Sequence, residues 1–179
     1  MRNSIKEVLI SEKEIQERVK ELGQEITRDY KGKDLVVVGV LKGAVLFLGD
    51  LVKNISMPLT IDFIAVSSYG NSTTTSGVVR ILKDLDNSIE GMDVLVVEDI
   101  IDSGLTLSYL YENLKSRGPN SVKICTLLDK PERRKVNVKV DYIGFVIEDE
   151  FVVGYGLDYA EKYRNLPEVC ILKPEIYQK

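Results

Sequence analysis

The chain contains no histidine and no tryptophan, and only two cysteines among its 179 residues. Without histidine there is no Ser-His-Asp triad, no Cys-His pair and no histidine-bound zinc or copper. Proton transfer then falls to another group and any metal to oxygen ligands, which favours a hard cation such as magnesium or manganese. Cys125 and Cys170 stand far apart in apolar stretches without CxxC spacing, and are expected as buried, reduced thiols. No apolar run approaches the roughly 18 residues of a membrane span. The opening MRNSIKEVLISEKEI lacks the unbroken apolar segment of a signal peptide, so a cytoplasmic location with no membrane partner is expected. Positive charge is not in excess either: 24 Lys and Arg against 28 Asp and Glu leave a net charge of -4. Nothing attracts nucleic acid at long range, and an anionic ligand must be held locally.

What is present is ordinary in bulk, 44% hydrophobic and 29% charged, and fits a single globular domain over 1–179. Ile15, Val19, Leu22 and Ile26 recur at helical spacing, and Ser11 with Glu14 makes a capping-box start. DLVVVGV at 34–40 is the β-branched run that a strand covered on both faces requires. A Lys-Gly break and a second helical stretch follow it. LTIDFIAV (59–66), VVRIL (78–82), DVLVVED (93–99), SVKICTLL (121–128) and DYIGFVIE (141–148) also read as strands. A helix bearing Leu107, Leu110, Tyr111 and Leu114 follows the 93–99 strand and stops at Gly118-Pro119. Such βαβ order predicts an α/β fold of three layers, α/β/α, around a central, mostly parallel sheet with ligands beyond the carboxyl ends of its strands. The polar segment SYGNSTTTSG, 68–77, reads either as a solvated hairpin loop or as a lid.

The densest chemical signal is VLVVEDIIDSGLTL, residues 94–107. Glu98 and Asp99 emerge where a strand ends, where hydroxyl or phosphate oxygens and a hydrated magnesium can be met together. From Asp102 to Thr106, the hydroxyls of Ser103 and Thr106, Gly104 and the free N–H groups of a helix N-terminus surround one point. That is an anion site needing no lysine. The plainer reading is a strand-to-helix turn with Asp102 or Ser103 as N-cap. A P-loop NTPase is excluded by the lack of GxxxxGK[ST], and a receiver domain by the strands that precede the acidic pair.

EDIIDSG-T behind a hydrophobic strand resembles the phosphoribosyl pyrophosphate motif of type I phosphoribosyltransferases. Leu41-Lys42-Gly43, Ser68-Tyr69, Asp129-Lys130-Pro131, the stretch from Phe151 to Asp158, and Arg164 extend the resemblance over nearly the whole chain, toward the bacterial hypoxanthine-guanine branch. The resemblance implies that family's fold, with a small hood over the base site. It also implies transfer of the phosphoribosyl group from phosphoribosyl pyrophosphate to hypoxanthine or guanine, giving IMP or GMP and pyrophosphate, with magnesium (or manganese) as cofactor and a homodimer or homotetramer as assembly.

It further implies roles. Glu98 and Asp99 meet the ribose hydroxyls or their magnesium, and Asp102, Ser103, Gly104, Leu105 and Thr106 bind the 5′-phosphate. Asp102 also approaches the base, as acceptor of the purine N7 proton or as a hydrogen-bonding anchor; a carboxylate in that role suits a chain without histidine. Leu41-Lys42-Gly43 corresponds to a pyrophosphate loop with a non-proline cis peptide, joined by Ser68, Tyr69 and Arg164. Read alone, Lys42 is an ordinary surface lysine. Lys130 corresponds to the donor to the 6-oxo group, Phe151 to the aromatic stacked on the base, and Val152 to a backbone contact; read alone, Phe151 is core packing. Asp158 would help a second magnesium. Leu105 stands where some relatives carry a basic residue, which leaves amides and hydroxyls to hold the phosphate. A different class on the same fold, a regulatory RNA-binding protein, should show a basic face, which the charge balance opposes.

Overall fold

The computed structural model describes residues 1–68 and 79–178, Ser68 by its backbone only. Tyr69 and nearly all of the segment read as loop or lid lie outside the described residues. Hydrophobic runs that alternate between two covered faces build the centre, a six-stranded sheet. Its order is β4 (Val79–Lys83), β3 (Thr60–Ser68), β2 (Leu35–Leu41), β5 (Asp93–Ile101), β6 (Ser121–Asp129) and β7 (Tyr142–Val146). Neighbours are parallel except β3 and β4, which pair antiparallel with Ser68 opposite Val79.

Period-two alternation assigns each strand residue to a layer. Leu35, Val37, Leu95, Val97 and Cys125 face α1 (Glu12–Asp29) and α2 (Val45–Lys53), whereas Val36, Val38, Val94, Val96 and Ile124 face α3 (Leu105–Lys115). The expected three layers follow directly. Ser11 caps α1 with both halves of the capping box, and Ile15, Val19, Leu22 and Ile26 are fully buried beneath it. In α3, Leu107, Leu110 and Leu114 are buried, while Tyr111 is only partly covered. β7 is shorter than the 141–148 expected.

β5 is longer than expected. It continues past the acid pair because Ile100 and Ile101 still pair with Leu128 and Asp129 of β6, and Ile101 is buried. Glu98 and Asp99 therefore sit inside the strand's last turn of pleat rather than at its end.

Over the carboxyl ends of these strands stands a second, antiparallel sheet of β1 (Ile5–Ile10), β9 (Val169–Leu172) and β8 (Val152–Val153), followed by the short α4 (Pro174–Tyr177). This is the small hood that the resemblance implied. Val153, Leu166, Cys170 and Leu172 form its core, with Ile5, Tyr159 and Ile176 packed on them. Cys125 and Cys170 are both buried and free, as expected. Among the described residues no helix is long and apolar enough to cross a membrane.

Candidate active site

β5 turns into α3 through Asp102, Ser103 and Gly104. Gly104 has φ 82° and is itself the N-cap of α3, with no side-chain cap. Asp102 makes no capping bond, and Ser103 keeps part of the plain capping reading, its Oγ accepting the Leu105 N–H at 3.4 Å. The left-handed glycine lets the chain reverse within one residue and turns the first-turn N–H groups of α3 beyond Leu105 toward an anion. A cavity of about 180 Å³ opens there, lined among others by Glu98, Asp99, Asp102, Ser103, Gly104 and Thr106. The Leu105 side chain is not part of that lining. Its N–H points at Ser103 Oγ, 3.4 Å away, so this residue offers backbone alone. The turn is buttressed from outside: the Lys135 N–H donates to the Ser103 carbonyl at 2.9 Å, and the Arg134 stem lies 3.0 Å from where a Cβ on Gly104 would be.

The acid pair floors this cavity. Glu98 Oε1 accepts the Asp99 N–H at 3.0 Å and Asp99 Oδ1 accepts the Ile100 N–H at 2.7 Å. Burial, reinforced by the neighbouring Asp99 charge, pushes the Glu98 carboxyl well above its ordinary range. Burial also raises Asp99, against the pull of its backbone donors and of Arg164. Two crowded carboxylates with free oxygen lone pairs are a donor set that fits a hard divalent cation. Among the described residues no three His, Cys, Asp or Glu side chains converge on one point; Asp158, expected to help a second magnesium, stands apart from the acid pair. It faces Arg164, 3.0 Å away, and accepts the Glu161 N–H at 2.8 Å.

Leu41 ends β2, and the Leu41-Lys42 peptide is cis. Three segments then stack without room for side chains. A Cβ on Gly43 would collide with the Asp99 carboxylate, and one on Gly156, at φ 100°, would collide with the Gly43 carbonyl. Behind Gly156, Arg164 Nη1 donates to its carbonyl at 2.7 Å. Lys42 is largely exposed and pairs with Glu161 at 2.8 Å, while the other Glu161 oxygen lies 3.3 Å from Arg164. Glu161 thus bridges the two cations assigned to pyrophosphate. It sits in a run of left-handed residues, Ala160 (φ 51°), Glu161 (φ 63°) and Tyr163 (φ 77°), conformations that cost energy outside glycine. Ser68 closes β3 at the same end of the sheet.

On the other side of Asp102 lies a cavity of about 500 Å³, whose lining includes Asp102, Lys130, Arg133, Phe151, Val152 and Tyr177. Lys130 is buried just past β6, its N–H on the Ile101 carbonyl at 3.0 Å and its Nζ on the Glu150 carbonyl at 2.6 Å. An ammonium has three protons, so it can still donate into the cavity. Arg133 Nε donates to Asp102 Oδ1 at 2.6 Å, and Nη1 to Asp149 at 3.2 Å. Phe151 is 37% exposed, which removes the core-packing reading, and Val152 is buried in β8. Asp102 lines both cavities. Arg133, Glu161 and Tyr177 were not singled out from sequence, because their partners are remote in the chain and their local stretches read as solvated surface.

The phosphoribosyl transferase domain family matches residues 7–160. The chain is 58% identical over 178 residues to the hypoxanthine-guanine phosphoribosyltransferase of Bacillus subtilis, 99% of each being covered. It is 60% identical over 179 residues to the bifunctional protein TilS/HprT of Listeria monocytogenes, and it spans only 28% of that relative's length. The crystal structure of a hypoxanthine phosphoribosyltransferase from Staphylococcus aureus superposes with a TM-score of 0.98 at 55% identity, covering 100% of this chain and 97% of that one.

Proposed function

Because the chain belongs to the phosphoribosyl transferase family, we propose that it transfers the 5-phosphoribosyl group from phosphoribosyl pyrophosphate to N9 of hypoxanthine or guanine. The observation that carries this reading is that Asp102 lies between a phosphate-sized turn and a base-sized cavity, with the loop at Gly43 packed against the acid pair beside them. A ribose fixed by its 5′-phosphate on one side and by pyrophosphate on the other then presents C1′ to the base.

In this reading the α3 N-terminus, Ser103 and Thr106 hold the phosphate with amides and hydroxyls. Glu98 and Asp99 hold the ribose hydroxyls and a magnesium ion, which when bound supplies positive charge against the leaving pyrophosphate; Asp158 and Arg164 finish that side. Lys42 and Arg164 exchange Glu161 for pyrophosphate. Lys130 donates to the 6-oxo group and so rejects a 6-amino group, which can only donate there. Phe151 stacks on the base, and Asp102 takes the N7 proton as the bond to C1′ forms through an oxocarbenium-like transition state. In the free chain Arg133 Nε donates to Asp102 Oδ1 at 2.6 Å, a contact the incoming base would displace or share.

The same reading includes a cytoplasmic homodimer or homotetramer, for which Val45 and Leu46, exposed on α2, offer apolar surface to cover. The RNA-binding alternative gains no support: the net charge is -4 and the Bacillus subtilis and Staphylococcus aureus relatives are named as transferases. The test is product formation from phosphoribosyl pyrophosphate and magnesium with four purines. IMP and GMP should appear with equimolar pyrophosphate, and adenine should give no product. AMP formed as readily as IMP would overturn the assignment of Lys130.

A further inference from the structure

Phe151 is on an irregular stretch between β7 and β8 and is more than a third exposed. A ring that is to receive a base must have its plane set beforehand, or the ordering is paid out of binding energy. Tyr177, the last residue of α4, lies stacked on Phe151 with centroids 4.4 Å apart and 17° between the planes. Tyr159 meets the same ring edge-on at 5.7 Å and 83°.

The segment that delivers Tyr177 is anchored on the hood. The Leu172 N–H donates to the Phe151 carbonyl itself at 3.0 Å, and the Lys173 N–H to the Ser4 carbonyl at 3.0 Å. Ile176 packs into the hood core, and the Gln178 N–H closes the last turn on the Pro174 carbonyl at 2.8 Å. One anchored strand thus ties the Phe151 backbone while the residue five beyond it braces the ring. Tyr177 also lines the cavity that contains Lys130 and Asp102.

We infer that Tyr177 is a positioning residue for the purine: stacked on Phe151, it sets that ring's plane and completes the wall of the base cavity. The inference rests on the transferase reading above. Its effect is expected on the base, because neither ring lines the cavity at the phosphate turn while Tyr177 and Phe151 both line the larger one.

The test is steady-state kinetics of the full chain with Tyr177→Ala and Tyr177→Phe, with melting temperatures alongside. Tyr177→Ala should raise the KM for hypoxanthine about three- to tenfold, the size expected for one lost aromatic pair. The KM for phosphoribosyl pyrophosphate should stay unchanged even though the melting temperature falls with the packing Tyr177 makes on the hood core, and Tyr177→Phe, which keeps the ring, should behave as wild type. An unchanged hypoxanthine KM would overturn the inference, as would an equal rise for both substrates, which would mark a structural role. A fall in hypoxanthine KM would show instead that Tyr177 obstructs the base site. Absence of transfer by the wild-type chain would overturn the transferase reading and this inference together, whereas an active wild type with an indifferent Tyr177→Ala would overturn this inference alone.

Discussion

Lys130 is the residue to which the proposed function gives base selection, since its buried side chain lines the cavity while its own backbone is tied to β5. Lys130→Gln keeps a donor of similar length and loses the charge. It should lower kcat/KM for hypoxanthine by ~10-fold or more, the scale of one charge-assisted hydrogen bond, and leave the KM for phosphoribosyl pyrophosphate near wild type. Substrate-resolved kinetics checks this, and equal losses would assign Lys130 to the phosphates or the fold. Glu98 makes a second residue-scale prediction. Its carboxyl is raised in the folded chain by burial and by Asp99, so the native state binds that proton more tightly than the unfolded chain. This contribution is fully present at pH below the ordinary carboxylate range and is lost as pH rises through the raised value. Glu98→Gln removes the dependence. Without magnesium or substrate, the variant's melting temperature should rise relative to wild type as pH goes from about 5 to about 8; a constant difference would contradict the shift. Glu98 was legible in the sequence as an acid where an apolar run ends, whereas Lys130 was legible only through the family resemblance. Arg133 and Glu161 were not, since their meaning comes from ion pairs with Asp102 and Lys42, 31 and 119 residues away.

At the scale of elements the same division holds. α1 could be read from its capping box and four apolar positions, and the parallel strands from their β-branched runs. β1, β8 and β9 could not. They are two to six residues long, β1 shows no alternation, and β1 finds its partner at the far end of the chain. The extension of β5 past Asp99 depends on pairing with β6 that no local window contains. The stacking of Gly156 on Gly43 and of Gly43 on Asp99 is also a contact between elements. Gly156→Ala combines that collision with a φ of 100°, and should cost roughly 1–3 kcal/mol of stability. It should also raise the KM for phosphoribosyl pyrophosphate more than that for hypoxanthine. Gly49 inside α2 has open space around it, and Gly49→Ala should be stabilising by about 0.5–1 kcal/mol. Urea unfolding of both variants checks the contrast; a Gly156→Ala chain as stable and as active as wild type would mean that the three segments need not touch.

For the whole molecule, the sheet does the assembling. Its strands carry the phosphate turn, the acid pair and the Lys42 loop to one edge, and the hood brings Phe151 and Tyr177 over them. In the proposed reading every group offered to the phosphates and ribose is an oxygen, an amide or a cation, so activity should vanish in excess chelator and return with magnesium or manganese. Full activity under chelation would refute the metal assignment. The central claim is that the two cavities meeting at Asp102 are one active site, in which Asp102 takes the proton from the incoming purine. The most direct measurement is single-turnover formation of IMP by wild type and by Asp102→Asn, with the affinity for phosphoribosyl pyrophosphate measured beside it. Asn keeps the shape and an oxygen toward Arg133 but not the basicity. Wild type should form IMP, and the variant should bind phosphoribosyl pyrophosphate normally yet turn over ~10²- to 10⁴-fold more slowly. Near-normal turnover by Asp102→Asn, or no IMP from wild type, would contradict the account.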